Sequence, residues 1–184
     1  MDSRIIKTRR EIRNTFLDLL KDHPYEKITI KLLCEQAYIA RPTLYAHYNS
    51  IQDVLIDCVD NKFEKTNVAN SFKVFSEEAF RAYFAFIRDN QHVVEVLFQR
   101  NVEGCLYRFN KKYIGKNILS IPAFEERPNT AELTEKFLIR LSGILFVAVD
   151  QLVANGFVQT DEEIAHATYV LATRAIDSVI EGEN

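Results

Sequence analysis

Arg41, Thr43, Tyr45 and His47 alternate with Pro42, Leu44, Ala46 and Tyr48 in the run ARPTLYAHY. A guanidinium, a hydroxyl, a phenol and an imidazole on one short helix are donors suited to a polyanion. Such groups hydrogen-bond phosphate oxygens, and an arginine can make paired bonds to the major-groove edge of guanine. This is recognition chemistry. For catalysis the chain offers little: His23, His47, His92 and His166 are scattered, and no HExxH, CxxC or carboxylate cluster at ligand spacing is present. Gly104, Gly115, Gly143, Gly156 and Gly182 form no phosphate-cradling loop. No enzyme activity, metal or cofactor is expected.

Those donors need a frame, and the stretch 28–50, ITIKLLCEQAYIARPTLYAHYNS, supplies one. Thr29 is suited to cap a first helix, because its hydroxyl can accept from free amides of the first turn. Leu32, Leu33 and Ala37 continue at helical spacing, with Cys34 small enough for a close helix approach. The pattern breaks at Tyr38-Ile39-Ala40. Pro42 fits only near the start of a second helix. Leu44 and Tyr48 then point inward with Ile39, while Arg41, Thr43, Tyr45 and His47 point outward. Two short helices about a tight turn make a helix-turn-helix, whose second helix lies in a major groove.

These residues carry a resemblance. The segment is similar to the DNA-binding domain of the tetracycline-repressor family of bacterial transcription regulators. Ile28, Thr29, Ala37, Ile39, Thr43, Leu44, Tyr45, His47, Tyr48, Ser50 and Leu55 stand at places matching the family pattern. The likeness is specific over roughly residues 5 to 60, and beyond that it extends only to length and helical layout. It implies a homodimer on double-stranded DNA, contacted through Thr29, Lys31, Arg41, Pro42, Thr43, Tyr45, His47 and Tyr48. Arg41 is the expected base reader; Thr43, Tyr45, Lys7, Arg9 and Lys31 are expected at phosphates. Three positions depart from the pattern. Tyr38 stands where the family has a turn glycine, Ala40 where it has a capping serine, and Ile51 where it has a phosphate-reaching lysine. They favour a competing reading, a helical binding or interaction protein that has lost specific DNA recognition.

Composition fits a small globular regulator. Apolar residues make up 47% and charged residues 27% of the 184. The net charge of −3 conceals an asymmetry: residues 1–50 balance to +3 and the remainder to −6. A basic end on an acidic body suits a DNA contact, although a solvated charged helix gives the same count. Cys34, Cys58 and Cys105 sit in apolar helical patterns, which predicts buried reduced thiols and a cytoplasmic protein. The most apolar run, Leu141 to Val149, is bounded by Arg140 and Asp150. It is shorter than the roughly 20 residues a membrane span needs, so no membrane association is expected.

The expected fold is all-α, with a three-helix DNA-binding domain over residues 1–49 and a helical ligand-binding and dimerisation domain over 50–184. Helices are expected over about 4–21, from Ser50 with the stripe Ile51, Val54, Leu55, Cys58 and Val59, from Ser76, over 93–102, over 104–119, over 131–155 and from a Thr160–Glu163 capping box to about 180. Residues 120–130, with Pro122 and Pro128, read as a loop. Aromatics crowd residues 80–113. Either they are ordinary core, or Phe80, Tyr83, Phe84, Phe98, Tyr107 and Phe109 line a pocket for a small-molecule effector, as the resemblance implies. Helix 131–155 is apolar on more than one face. It is either a central core helix or half of a four-helix interface between two copies, formed by Leu141, Ile144, Leu145, Ala148, Leu152, Leu171, Ala172, Ala175, Ile176 and Val179.

Overall fold

The computed structural model describes residues 3–66, 68–72, 74–99, 112, 114, 121–125, 127 and 129–182. Every regular element among them is a helix. The chain divides into two compact units, Met1–Lys62 and Phe63–Asn184. The first unit therefore runs past residue 49 and takes in most of the helix that follows, for a reason found in the side chain of Asp57 below.

The first unit contains α1 (Ser3–Asp22), a single 3-10 turn (Tyr25–Lys27), α2 (Ile30–Gln36), α3 (Arg41–Tyr45) and most of α4 (Ile51–Glu64). α1 packs against α2, and α2 against α3. Ile12, Phe16, Leu19 and Leu20 recur at helical spacing and form the buried face of α1, while Leu33, Cys34 and Leu44 answer from α2 and α3. Phe16 also meets the edge of Tyr25. On α4 the expected stripe is inward at Val54, Leu55 and Cys58 and half-buried at Ile51 and Val59. Its start is fixed by a reciprocal cap: Ser50 N donates to Asp53 Oδ2, and Asp53 N donates back to Ser50 Oγ.

The second unit holds α5 (Val68–Ser71), α6 (Glu77–Asp89), α7 (Gln91–Gln99), α8 (Pro122–Glu125), α9 (Thr130–Ala154) and α10 (Asp161–Glu181). α10 packs on both α6 and α9; α7 and α8 also lie on α9, and α5 on α6. Ser76 caps α6 and the full Thr160–Glu163 box caps α10. The one-turn helix α8 occupies part of the region read as loop, with Pro122 in its first turn, where a missing N–H leaves no bond unmade. Most of the helix expected over 104–119, with Cys105, Tyr107 and Phe109, lies outside the described residues.

α9 is long and apolar enough to cross a membrane by length and composition, and 44% of its most apolar window is buried inside the protein. The run between Arg140 and Asp150 understated this helix, because those two charges interrupt a longer apolar surface.

Candidate functional site

The turn between α2 and α3 is set by backbone geometry. Thr29 Oγ1 accepts from Leu32 N at 3.1 Å and starts α2. At the other end Tyr38 N donates to Glu35 O and Ile39 N donates back to Cys34 O at 3.0 Å. This pair of bonds is the Schellman closure, and it places Tyr38 in the left-handed region at φ 53°. Glycine adopts that conformation freely; a bulky residue there is strained by roughly 1–2 kcal/mol. Tyr38, which departs from glycine, thus occupies a conformation that glycine would adopt without strain. Ala40 begins α3 with no side-chain cap, and Pro42 occupies its first turn.

Leu44 is fully buried and fixes the roll of α3. Arg41, Pro42, Thr43 and Tyr45 consequently stand on its exposed side, with His47 half-buried. Thr29 and Lys31 are exposed on α2; the Thr29 hydroxyl serves the cap, and Lys31 Nζ lies 3.9 Å from Glu35. Tyr48 is different. It is only 4% exposed. Its hydroxyl donates to Asp57 Oδ2 at 2.6 Å. It belongs to the interior and is corrected from the expected contact set, because helical spacing puts it on the Leu44 face.

Asp57 gathers three elements. Arg9 Nη2 reaches Oδ1 at 2.6 Å and Arg13 Nη1 reaches Oδ2 at 2.8 Å, both from α1. The Arg9 guanidinium also lies 5.2 Å from the centre of the Tyr48 ring. Burial pushes the Asp57 carboxyl upward, but hydrogen bonds from Tyr48 and Arg13 and the charges of Arg9 and Arg13 outweigh it and hold the group below the usual carboxylate range. Burial, joined by the bond to Asp57, pushes the Tyr48 phenol up to about 12. Arg9, expected at a phosphate, is committed here instead. Beside the cluster lies a depression of about 240 Å³ whose lining includes Asp53, Asp57 and Asp60 as well as Arg9 and His47. Those carboxylates make it a poor phosphate site. The network was missed in the sequence; its signal was Arg9 and Arg13 four apart beside the buried Ile12, and Asp57 next to buried Cys58.

Cys34 and Cys58 are buried free thiols, as expected. Burial, reinforced by Asp57, pushes the Cys58 thiol up to about 12. Among the described residues no group of His, Cys, Asp and Glu is arranged to hold a metal ion.

Of the expected pocket residues, Phe80, Tyr83, Phe84 and Phe98 are among the described ones. Phe80, Tyr83 and Phe84 are fully buried and packed ring to ring: Phe80 meets Phe72, Phe75 and Tyr169, and Tyr83 meets Phe72 and Phe84. They are core. Phe98 stacks on Phe146, with ring centres 5.2 Å apart. Tyr107 and Phe109 lie outside the described residues. One polar loose end remains in the cluster: the Tyr83 hydroxyl is buried with no hydrogen-bond partner, as is that of Ser142.

The residues expected between two copies also need correcting. Leu141, Leu145, Ala148, Leu152, Ala172, Ala175, Ile176 and Val179 are buried within the chain, where α9 and α10 pack on each other and on their neighbours. Ile144 is half-buried; of that set only Leu171 is exposed. The large apolar residues that α9 presents to solvent are Ile139, Phe146 and Val147. No protein-family model matches the chain, and no curated protein matches it either.

Proposed function

We propose that this chain is a DNA-binding transcription regulator, a repressor that acts as a homodimer in the cytoplasm and is released by a small-molecule effector. The observation that carries the reading is the roll of α3. Leu44 is buried, and Arg41, Pro42, Thr43 and Tyr45 share the exposed side, behind a capped α2 and a closed turn. In this reading α2 and α3 are a helix-turn-helix and α3 enters the major groove. Arg41 reads a base through its paired donors, while Thr43, Tyr45 and Lys31 hold phosphates. His47 stands at the margin of that surface. The resemblance to the tetracycline-repressor family supports the same assignment.

The second unit supplies the pairing. Ile139, Phe146, Val147 and Leu171 are exposed apolar residues on α9 and α10. A second copy covering them brings two heads together, and successive major grooves require head centres about 34 Å apart. The unpartnered Tyr83 hydroxyl supports an effector that carries a hydrogen-bonding group into an aromatic interior. For near-complete release such a ligand must favour the non-binding state by about 5.5 kcal/mol.

Selection of bound duplexes from a random library tests the reading. A palindromic winner is the expected result. Failure to enrich any duplex at low salt, from a folded preparation, would leave the helical interaction protein as the better reading.

A further inference from the structure

Tyr38 and Phe157 are the non-glycine residues with positive φ among the described residues, and they differ in one respect. Phe157, at φ 59°, is 6% exposed. Its ring lies under the Arg88 guanidinium at 5.8 Å, and its carbonyl accepts from Arg88 Nη1 at 2.8 Å. The fold offsets that strain with burial and a charged hydrogen bond. Tyr38, at φ 53°, is 94% exposed, and its side chain has no hydrogen bond or ring contact within the described residues. The Schellman bonds hold its backbone, but nothing among the described residues covers an aromatic ring held in water.

Strain of this kind persists where surroundings or function over-determine it. We infer that Tyr38 is a DNA-contact residue, its ring packed on a deoxyribose and its hydroxyl donating to a backbone phosphate. This rests on the DNA-binding reading above. Three features favour that occupant. The phenol is a neutral donor of the kind that positions proteins on phosphates. Tyr38 sits in the turn that opens α3, close in sequence to the exposed Arg41 and on the chain segment that also carries exposed Tyr45. The Schellman bonds from Tyr38 N and Ile39 N fix its backbone, so the ring projects from a rigid point and little freedom is lost on contact. Glu35 is the nearby acidic group, and Lys31 lies 3.9 Å from it.

Replacement by glycine separates the two roles of the position, since glycine fits φ 53° better than tyrosine. Tyr38→Gly and Tyr38→Phe are compared with the unaltered protein by melting temperature and by binding to a mixed-sequence duplex longer than two helical turns, at about 50 mM salt. Expected is a melting temperature for Tyr38→Gly equal to or above that of the unaltered protein, with affinity about tenfold weaker. Tyr38→Phe, which keeps ring and strain, is expected to fall between the two in affinity. Equal affinity of the glycine variant and the unaltered protein overturns the inference and leaves the DNA-binding reading standing. Absence of duplex binding by the folded unaltered protein overturns both.

Discussion

The Tyr48 hydroxyl donates to Asp57 Oδ2 at 2.6 Å, joining the chain just after α3 to α4. The same carboxylate takes Arg9 and Arg13 from α1. One acidic side chain therefore ties α1, α4 and the chain after α3 together, and it does so where the groups are shielded, with Asp57 only 17% exposed. Removing one partner of a shielded charge cluster leaves the others uncompensated. Asp57→Asn is expected to lower the stability of the first unit by about 2–3 kcal/mol, less than a fully buried pair because Arg9 is part-exposed. Tyr48→Phe, which deletes one charge-assisted bond, is expected to cost about 1.5 kcal/mol. Urea unfolding followed by a probe in the first unit checks both; a Tyr48→Phe loss larger than that of Asp57→Asn contradicts the hub.

The network also sets a pH response. A carboxyl whose folded pKa lies below its unfolded value of about 3.9 adds stability at higher pH, and that contribution vanishes as pH falls through the folded value. Asp57 is such a group. The unaltered protein is expected to lose stability below about pH 4–5 more steeply than Asp57→Asn, and the gap between the two is expected to be constant from about pH 6 upward. Parallel unfolding curves from pH 7 down to pH 3 would show that Asp57 is not held low.

The longer helices and several caps were legible because they depend on local chemistry, whereas the one-turn helices α5 and α8 were not. Thr29, Ser76 and the Thr160–Glu163 box each act within one turn, and the stripe of α4 is a property of its own spacing. What was not legible depends on which side of an element faces inward. α9 has apolar residues around much of its circumference, so spacing alone cannot tell Leu141 and Leu145, which are buried, from Ile139 and Val147, which are exposed. Tyr48 shows the same ambiguity on a smaller scale. Its type suits a groove, its spacing from Leu44 suits a core, and the partner that decided the matter, Asp57, is a charged residue nine positions away on another helix. The missing turn glycine at Tyr38 was legible in the sequence, but the exposure of that residue was not.

Arg88 closes the loop between α9 and α10. Its Nε donates to Asp161 Oδ1 at 2.8 Å, its Nη1 to Phe157 O at 2.8 Å and its Nη2 to Gln159 O. Three directions of donation require the planar guanidinium fork. Arg88→Ala is expected to destabilise the second unit by about 2–3 kcal/mol, since it frees two carbonyls and a carboxylate at once. Arg88→Lys is expected to restore less than half, because one ammonium cannot span those acceptors. Thermal melts rank the three proteins, and amide exchange over 155–160 should accelerate in both variants. Full rescue by lysine would mean that charge, not geometry, holds the loop.

The exposed apolar residues of α9 give the dimer proposal a test that separates interface from core. Ile139, Gly143 and Val147 fall at helical spacing on its solvent side, and a Cβ added at Gly143 would meet nothing within 4 Å. Leu145, between them in sequence, is fully buried. The double variant Ile139→Glu, Val147→Glu is expected to keep the helical content and melting behaviour of the folded subunit while its mass in light scattering halves, since charges placed face to face across a two-fold axis repel. Leu145→Glu is expected to unfold the unit instead, because an unpaired carboxylate is driven into a close-packed interior. DNA affinity of the double variant should fall with its mass, as one head alone has half the contacts and no second groove. A monomeric mass for the unaltered protein at micromolar concentration, or an unchanged dimeric mass for the double variant, would remove this face from the interface.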